Sequence, residues 1–471
     1  MSGKSFNNHT LALSDLFRVT FGNTPHTILP MQGAGSGRKY FRLSGETAKV
    51  VGSWNPDPEE HKAFIQISRI FYSLGLPVPE TIAVDEPSGY CLLTDLGDLT
   101  VLDWLESVKS KPGHDEAVRS RYQLILKDLI RFQLSGHNLS LPPYDRDAAL
   151  YDLNYFRFCF LRPSGIKHSD SLLDKEFRHL ASLVDNFFPK GFMYRDFQAR
   201  NILIQNNNHY YIDYQGAKYG PLIYDVVSLL WQARAGLPQK LRELLVQDYI
   251  EAIGAQILVD STQMHDQFGT VALLRLLQVA GAYGYRGWLE RKHHFLASLP
   301  ELTVQLNWIL KNWPVSMPKE ELFNVIQQMA DKRWPLPSNH IEGLHLNILS
   351  FSYMKGIPYD LNGNGGGYVF DCRLLPNPGR NQQLKDFTGI DPEIVDFFKH
   401  HAEVDSYLNT CEQLVLNSIN AYQNAGYLNL QVCFGCTGGK HRSVYCAEKL
   451  AERLKNYPGV TVSVTHQDLN I

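Results

Sequence analysis

The 471-residue sequence lacks the features that mark several special classes of protein. No uncharged apolar run approaches the ~20 residues that span a bilayer, so no membrane-spanning helix is expected. The net charge is only −3, which gives no overall electrostatic attraction to nucleic acid. The first residues contain no long apolar segment behind a basic one, which argues against a secretory signal. We therefore expect a cytoplasmic protein with no membrane partner.

Cysteine is also scarce. Seven cysteines, an odd number, lie mostly inside apolar runs, which favours reduced, buried thiols over a disulfide framework. Cys433 and Cys436 have C-x-x-C spacing, but no second cysteine pair accompanies them. A zinc or redox centre is therefore not indicated.

What the chain has is length and apolar content. Hydrophobic residues make up 44% of the sequence, and single cores stop growing at about 250–300 residues, so more than one domain is expected. Residues 334–339 read WPLPSN, and two prolines with a polar pair stop any regular element. We predict a first domain at 1–335, a linker at 336–342 and a second domain at 343–471.

Residues 192–216 carry the clearest functional pattern. Asp196 and Asn201 have D-x-x-x-x-N spacing, an asparagine-rich turn follows, and Asp213 ends the next apolar run. Phosphoryl transfer depends on positioning a hydroxyl and on neutralising charge around the in-line oxygens. A loop carboxylate can accept the hydroxyl proton, while an amide oxygen and a second carboxylate hold Mg²⁺. The pattern predicts Asp196 as the catalytic base and Asn201 and Asp213 as metal ligands.

A glycine-rich turn lies upstream, between two strand-like runs, where a loop covering a nucleotide would be expected. Gly33 and Gly35 would let the backbone approach a phosphate because no Cβ intervenes, although a generic flexible hairpin has the same pattern. Lys49 is the only cation between Leu43 and His61. It is therefore the candidate for contacting nucleotide phosphates, and a solvated residue at the edge of a strand is the alternative.

The sequence Asp57-Pro58-Glu59-Glu60 predicts the start of a helix that ends at Gly75. Asp57 would be the N-cap and Glu60 would close a capping box. Glu60 could pair with Lys49 instead, but capping is the role that we expect.

The segments YRDFQARN, IDYQGAKYGPLIYDVVSLL and DLGDLTVLDWL resemble the aminoglycoside phosphotransferase and choline kinase group. They are most similar to the bacterial anomeric kinases of N-acetylmuramate and N-acetylglucosamine. This resemblance implies an α+β protein-kinase-like bilobal domain, with an N-lobe at about 1–96 and a helical C-lobe at about 97–335. It also implies ATP and Mg²⁺ as cofactors and a sugar hydroxyl as acceptor. Tyr194 stands where the group usually has His, and we interpret it as a structural variation.

Two further roles follow from the same resemblance. Asp95-Leu96-Gly97 comes after a predicted buried strand and resembles the hinge that hydrogen-bonds adenine, so Asp95 and Gly97 join the predicted nucleotide contacts. Asp225 lies at a predicted helix start. In the family this carboxylate braces the catalytic loop, and a simple N-cap explains it equally well.

The second domain contains a predicted strand, a glycine loop and a helix over residues 428–454. Free backbone N–H groups and the helix dipole converge at such a helix start and favour an anion. The predicted sugar-phosphate contacts are Thr437, Gly438, Gly439, Lys440, His441, Arg442 and Ser443. The loop does not match the Walker A pattern. It does match C-x-x-x-x-x-R, which keeps a phosphatase using the Cys436 thiolate as an alternative.

The segments VFDCRLLPNP, FTGIDPEI and GCTGGKHRSVYCAEKLAERL resemble the C-terminal domain of RapZ, an RNase adapter that senses glucosamine-6-phosphate and binds a small regulatory RNA. The resemblance spans about residues 343–469. It implies a smaller α/β domain with a strand, anion loop and helix unit that binds a phosphorylated amino sugar. Residues 462–471 contain no Lys or Arg, which argues against RNA as a partner.

The sequence as a whole predicts an ATP-dependent phosphotransferase for an amino sugar, of the N-acetylmuramate or N-acetylglucosamine type. The kinase would be fused to a sugar-phosphate-binding domain and act in cell-wall precursor metabolism. A non-enzymatic sensor of nucleotides or metabolites, or an RNA-binding adapter, is the first alternative. The cysteine-dependent phosphatase is the second.

Overall fold

The structure is a computed structural model. It describes residues 3–31, 37–109, 113–136, 139–290, 293–332, 334, 343–358, 367–425, 427 and 429–469. The chain divides into two compact units. The first contains Met1–Phe156, Ile166–Val279 and Glu301–Asp331, and the second contains Arg157–Gly165, Ala280–Pro300 and Lys332–Ile471. Two short segments of the first predicted domain thus group with the second unit, and the predicted domain bounds stay a prediction.

The first unit begins with helix α1 and a five-stranded antiparallel sheet in the order β1-β2-β3-β5-β4. These elements are α1 (Gly3–Phe21), β1 (Thr27–Met31), β2 (Lys39–Ser44), β3 (Lys49–Trp54), α2 (Pro58–Ser73), β4 (Thr81–Asp85) and β5 (Tyr90–Thr94). Alternate residues of β2 and β3, among them Phe41, Leu43 and Val50, pack with Leu13 and Phe17 of α1. Because strand side chains alternate between faces, the residues between them lie on the opposite face.

Helix α2 begins where the sequence predicts, since the Asp57 carboxylate accepts the N–H groups of Glu59 at 3.0 Å and Glu60 at 3.1 Å. The predicted capping box is wrong. The N–H of Asp57 donates to Asn55 Oδ1 at 3.0 Å. The Glu60 carboxylate turns instead to the buried guanidinium of Arg38 at 3.1 Å, because a buried cation needs a charged partner.

The rest of the kinase-like region is mainly helical, with two short antiparallel strand pairs, β6 with β9 and β7 with β8. In chain order the elements are α3 (Val101–Val108), α4 (His114–Ser135), α5 (Arg146–Phe156), α6 (Asp170–Asp185), β6 (Lys190–Met193), β7 (Ile202–Gln205), β8 (Asn208–Tyr211), β9 (Lys218–Pro221), α7 (Ile223–Leu230), α8 (Gln239–Gly254), α9 (Ser261–Gly284), α10 (His293–Leu296), α11 (Leu299–Lys311) and α12 (Glu321–Asp331). Asn206 and Asn207, with φ of +51° and +64°, form the predicted turn between β7 and β8. The α+β architecture is therefore confirmed.

The second unit contains a parallel sheet in the order β11-β12-β10-β13. Its elements are β10 (Leu344–Ser352), β11 (Gly367–Asp371), α13 (Pro392–Lys399), α14 (Ala402–Ala425), β12 (Asn429–Cys436), α15 (Arg442–Leu454) and β13 (Val460–His466). Side chains of β10, β12, α14 and α15 form the core. The predicted α/β domain with its strand, loop and helix unit is confirmed. Because the strands are parallel, their carboxyl ends lie along one edge, where ligands of such sheets commonly bind.

Within the described residues, no helix combines the length and apolar composition needed to cross a bilayer.

Candidate active site

The loop after β6 carries Asp196 and is held in an unusual backbone conformation. Arg195 has a φ of +75°, which a non-glycine residue rarely adopts. The Asp225 carboxylate on α7 stabilises this turn by accepting the N–H groups of Tyr194 at 2.7 Å and Arg195 at 2.9 Å. The bracing role implied for Asp225 is therefore confirmed, and the N-cap alternative is wrong.

Asp225 is fully buried, and burial raises its pKa to about 7 although the two backbone N–H groups lower it. Tyr194 is also buried, and its hydroxyl donates to the Ile212 carbonyl oxygen at 2.7 Å. This bond ties the loop that carries Asp196 to the strand pair that precedes Asp213. Tyr194 thus has the structural role that we expected.

The structure brings the predicted base and the two predicted metal ligands together. Asn201 Nδ2 donates to the Asp196 backbone oxygen at 2.9 Å and to Asp213 Oδ2 at 3.3 Å. Gln215 Nε2 donates to Asp213 Oδ1 at 2.7 Å. Because Nδ2 makes both contacts of Asn201, its amide oxygen is the atom that would ligate a metal.

The electrostatics of Asp213 fit a divalent cation. Burial raises its pKa, and the nearby Asp196 carboxylate raises it further. A bound cation would offset this repulsion. Among the described residues, no group of three or more His, Cys, Asp and Glu side chains is placed to hold a metal by itself. Mg²⁺, however, is often bound through one or two carboxylates with substrate phosphates, and Asp213 with the Asn201 oxygen fits that mode.

The Asp196 side chain is half-exposed, so an acceptor hydroxyl could reach it. Its Oδ1 lies 3.4 Å from Nη2 of Arg275 on α9. The adjacent Arg195 guanidinium turns away to Asp152, 3.1 Å from the carboxylate. Arg275 is not among the residues predicted from the sequence, because nothing in the pattern of a helix links it to a loop 79 residues earlier.

A cavity of about 230 Å³ opens beside these groups. Its walls are mostly apolar, with Asn201 and Asp213 among the polar residues that line it. The planar ring of a nucleotide base could pack against such apolar walls, and its phosphates could lie at the polar end. The cavity is lined by Met31, Tyr40, Val51, Phe64, Pro79, Leu93, Thr94, Leu96, Gly97, Asn201, Leu203, Ile212, Asp213 and Tyr214.

The predicted nucleotide contacts are only partly brought together. Gly97 lines the cavity, and its N–H donates to Asp95 Oδ1 at 3.1 Å. The Asp95 carboxylate is engaged by Arg42, with Nε at 2.8 Å from Oδ2, and by Lys49 at 3.4 Å. Gly33 and Gly35 lie outside the described residues.

Lys49 and Arg38 lie at opposite ends of the strands that cover the cavity. Val50 pairs with Thr94, so Lys49 lies beside Asp95 at the carboxyl end of β5, and its side chain is 61% exposed. Arg38 directly precedes β2, and in the sequence it follows the glycine-rich segment. Its guanidinium is buried, contacts Glu60 of α2, and lowers the pKa of Asp213.

Arg38 is the second residue missing from the sequence prediction. The sequence predicts a lysine on β3 as the phosphate contact, and Lys49 is the one lysine on that strand. The signal that could have identified Arg38 is its place immediately after the glycine-rich turn. The structure therefore places a buried cation near the predicted metal ligand Asp213, held by a carboxylate of α2.

The predicted anion loop of the second unit follows β12 at the carboxyl edge of the parallel sheet. Thr437 and Gly438 are exposed. Gly439 has a φ of +68°, and an added Cβ would lie 2.4 Å from Asp468 Oδ2. Both the left-handed conformation and this close approach require glycine at position 439.

The longer side chains of this loop are bonded within the unit. Arg442 Nη1 donates to the carbonyl oxygen of Arg373 at 2.9 Å. Lys440 Nζ donates to the Lys385 carbonyl oxygen at 3.1 Å. Ser443 Oγ lies 3.1 Å from the buried Cys436 Sγ.

The remaining predicted contact, His441, is partly buried, and burial and Lys440 lower its pKa, so it is mainly neutral at pH 7. An anion at this loop would therefore be bound by the exposed loop residues and the N–H groups at the start of α15. Burial of the Cys436 thiol leaves the phosphatase alternative without an accessible nucleophile.

Comparison with protein families agrees with this two-part architecture. The model of the phosphotransferase enzyme family matches residues 27–258, and the model of the RapZ C-terminal domain matches residues 344–470. The chain thus joins two kinds of protein domain. Its first part is similar to the phosphotransferase enzyme family and its last part to the RapZ C-terminal domain family.

Relatives that match the last part include a nucleotide-binding protein of Thermotoga neapolitana, 40% identical over 131 residues. A nucleotide-binding protein of Histophilus somni is 35% identical over 134 residues. Each alignment covers 28% of this chain, and 44% and 45% of the relatives respectively. The chain therefore spans less than half the length of these curated relatives.

Solved structures similar to the chain include a choline kinase from Streptococcus pneumoniae, 11% identical with a TM-score of 0.43, covering 62% of this chain and 98% of that one. Another is a GDP complex of an aminoglycoside 2′-phosphotransferase mutant, 14% identical with a TM-score of 0.45, covering 64% and 99%.

Proposed function

We propose that this chain is an ATP- and Mg²⁺-dependent phosphotransferase that acts on a hydroxyl of a small amino sugar. The observation that carries this proposal is the meeting of Asp196, Asn201 and Asp213 beside an apolar cavity of nucleotide-compatible character. The family match over residues 27–258 supports the reaction class. The amino-sugar class is supported by the resemblance of both parts of the sequence to amino-sugar proteins.

In this mechanism Asp196 accepts the proton of the acceptor hydroxyl as the acceptor oxygen bonds to the γ-phosphorus. The bond between the γ-phosphorus and the bridging oxygen breaks, and ADP leaves with the electron pair. Asp213 and Asn201 Oδ1 would hold the Mg²⁺, which supplies charge neutralisation at the phosphate oxygens. Asp225 keeps the loop that carries Asp196 in its strained conformation.

We further propose Arg38, in place of Lys49, as the cation that contacts the nucleotide phosphates. Arg38 directly precedes β2 and is held by Glu60. Its Nε has no hydrogen-bond acceptor among the described residues. A guanidinium held in this way is well suited to phosphate oxygens.

For the second unit we propose a phosphorylated amino sugar as the ligand of loop 437–443. The position of the loop at the carboxyl edge of a parallel sheet and the family match over residues 344–470 support this. A nucleotide is the competing ligand, because relatives that match this part are named nucleotide-binding proteins. Isothermal titration with glucosamine-6-phosphate, ATP and inorganic phosphate separates these candidates. Because the cleft is also proposed to bind ATP, a nucleotide at the loop would appear as a second ATP-binding event that Gly439→Val removes. Unchanged binding of both glucosamine-6-phosphate and ATP to the Gly439→Val variant would contradict the loop site.

The activity is tested by ADP release with a panel of N-acetylated sugars and other hydroxyl acceptors. Asp196→Asn should lower kcat by about 10²- to 10⁴-fold while leaving ATP binding intact. The matched control is Asp248→Asn, because Asp248 pairs with Arg119 at 3.3 Å and lies outside the proposed machinery. ATP binding without acceptor-dependent turnover would favour a metabolite sensor, and an unaffected Asp196→Asn variant would exclude the proposed base.

A further inference from the structure

The carboxylate proposed as the base is contacted by a cation from a distant helix. Arg275 Nη2 lies 3.4 Å from Asp196 Oδ1. The two side chains have opposite environments, since that of Arg275 is 5% exposed and that of Asp196 is 50% exposed. The buried partner is thus enclosed by the protein, and the exposed partner is accessible from solvent.

The arginines of the catalytic loop itself are directed elsewhere. Arg195 pairs with Asp152, although it is the immediate neighbour of Asp196 in sequence. Arg200 is exposed, and its charge lowers the pKa of Asp213. Among the ion pairs of the described residues, Arg275 is therefore the cation that contacts Asp196.

Arg275 is itself held on three sides. Its Nη2 donates to Ser228 Oγ at 3.0 Å, its Nη1 donates to Gln278 Oε1, and its guanidinium lies 5.6 Å from the ring centre of Tyr224. Ser228 Oγ in turn donates to the Arg195 carbonyl oxygen at 3.1 Å. The guanidinium is thus tied both to the backbone of the catalytic loop and to the side chain that performs the proposed chemistry.

We propose that Arg275 is the positioning residue of the base: by holding Asp196 Oδ1, it directs Oδ2 towards the acceptor hydroxyl. This inference rests on the proposed phosphotransferase function. The hydroxyl proton passes to Asp196 Oδ2 while the acceptor oxygen bonds to the γ-phosphorus and ADP departs. The distance of 3.4 Å exceeds the usual 2.7–2.9 Å of a charged hydrogen bond, and such contacts commonly tighten when substrates bind.

The test compares Arg275→Met and Arg275→Lys with the wild type in the full-length chain. Loss of the guanidinium should lower kcat by about 100-fold, because small misplacement of a catalytic group has that effect. The KM for ATP should change less than about 2-fold, since Arg275 contacts the base and not the proposed nucleotide cavity. Lysine keeps the charge with different geometry, so Arg275→Lys should recover about tenfold of the lost rate.

A double variant separates positioning from a general effect on the fold. If Arg275 acts through Asp196, Arg275→Met should not slow an Asp196→Asn enzyme further, because the base is already absent. The matched control is Arg242→Met, which removes another buried guanidinium, one that pairs with Glu301 at 3.0 Å. That variant should lose a similar amount of thermal stability and keep kcat within about 3-fold of the wild type.

The outcomes are distinguishable. A wild-type protein without acceptor-dependent turnover would overturn the proposed function and this inference with it. Normal wild-type turnover with an unchanged kcat in Arg275→Met, or with additive losses in the double variant, would overturn this inference alone. If Arg275→Met does not fold, Arg275→Lys is the deciding variant. Positioning is supported if Arg275→Lys lowers kcat tenfold at unchanged KM for ATP and causes no further loss in the Asp196→Asn background. A wild-type rate in Arg275→Lys refutes positioning.

Discussion

The cleft of the first unit and the glycine loop of the second unit use their polar side chains differently. In the cleft, Asp196, Asn201 and Asp213 meet each other beside a cavity. In the loop, Arg442 and Lys440 donate to carbonyl oxygens of their own unit. A motif rich in charge is therefore no guide to which charges reach a ligand. The cleft offers side chains to its proposed substrate, and the loop offers mainly backbone.

The largest effect that would sharpen this contrast is expected at Asp213. Asp213→Asn should lower turnover by about 10³-fold, because several kcal/mol of charge stabilisation through the bound metal would be lost. ADP release measured over a range of Mg²⁺ concentrations checks this. The fold should be retained, because burial raises the pKa of Asp213 and its charged form is therefore costly in the folded protein. Asparagine removes this desolvation cost. Turnover within about 3-fold of the wild type would remove Asp213 from the metal site.

In the second unit, replacing the buried loop cation Arg442 should affect stability more than ligand binding. Arg442→Met should lower the free energy of unfolding by about 4 kcal/mol, because it leaves the carbonyl oxygens of Arg373 and Leu375 without their donor. Hydrogen exchange of β12 and α15 peptides measures this local loss. Lys440→Met is the matched control and should cost no more than about 0.5 kcal/mol. A stable Arg442→Met protein that has lost only its anion affinity would break the contrast.

The contribution of Asp225, which accepts the N–H groups of Tyr194 and Arg195, should depend on pH. Burial raises the pKa of Asp225 to about 7, so the folded protein holds this proton more tightly than the unfolded chain. The contribution of Asp225 to stability should therefore fall as pH rises from 5 to 8, by about 2–3 kcal/mol. Asp225→Asn does not titrate there. Hydrogen exchange of α7 peptides in both proteins at the two pH values checks the difference, and parallel pH profiles would contradict it.

A smaller effect on kcat/KM for ATP should show which of Arg38 and Lys49 contacts the nucleotide. Arg38→Met should lower kcat/KM for ATP by about 10- to 100-fold, the value of one or two hydrogen bonds to a charged group. Lys49→Met should stay within about 3-fold, because this exposed side chain lies at the carboxyl end of β5 beside Asp95. Steady-state kinetics with varied ATP measure both variants. The reverse ranking would restore Lys49 as the phosphate contact.

The smallest effect is expected at Tyr194. Tyr194→Phe removes the hydrogen bond to the Ile212 carbonyl oxygen and should cost about 1 kcal/mol of local stability. Hydrogen exchange of the β7 and β8 peptides measures this. Turnover should stay within about 3-fold of the wild type if the hydroxyl is structural, and a larger loss would make Tyr194 part of the chemistry.

The local parts of both sites could be predicted from the order of the residues. One short segment contains the D-x-x-x-x-N spacing, the turn at Asn206 and Asn207, and Asp213 just after β8. The hairpin itself therefore brings these residues together. The strand, glycine loop and helix around Gly439 were equally predictable. In both cases short-range backbone geometry is sufficient, because few conformations connect such closely spaced elements.

The partner of each long charged side chain depends on how distant elements pack, and it could not be predicted from the order of the residues. Arg38 pairs with Glu60, Lys49 with Asp95, and Arg275 reaches Asp196 across 79 residues of sequence. Arg442 has the spacing of an anion ligand but turns to backbone carbonyls. The physical reason is that a flexible charged side chain is directed by whichever oppositely charged or polar group the packed elements place near it. Spacing along the chain carries no record of that packing.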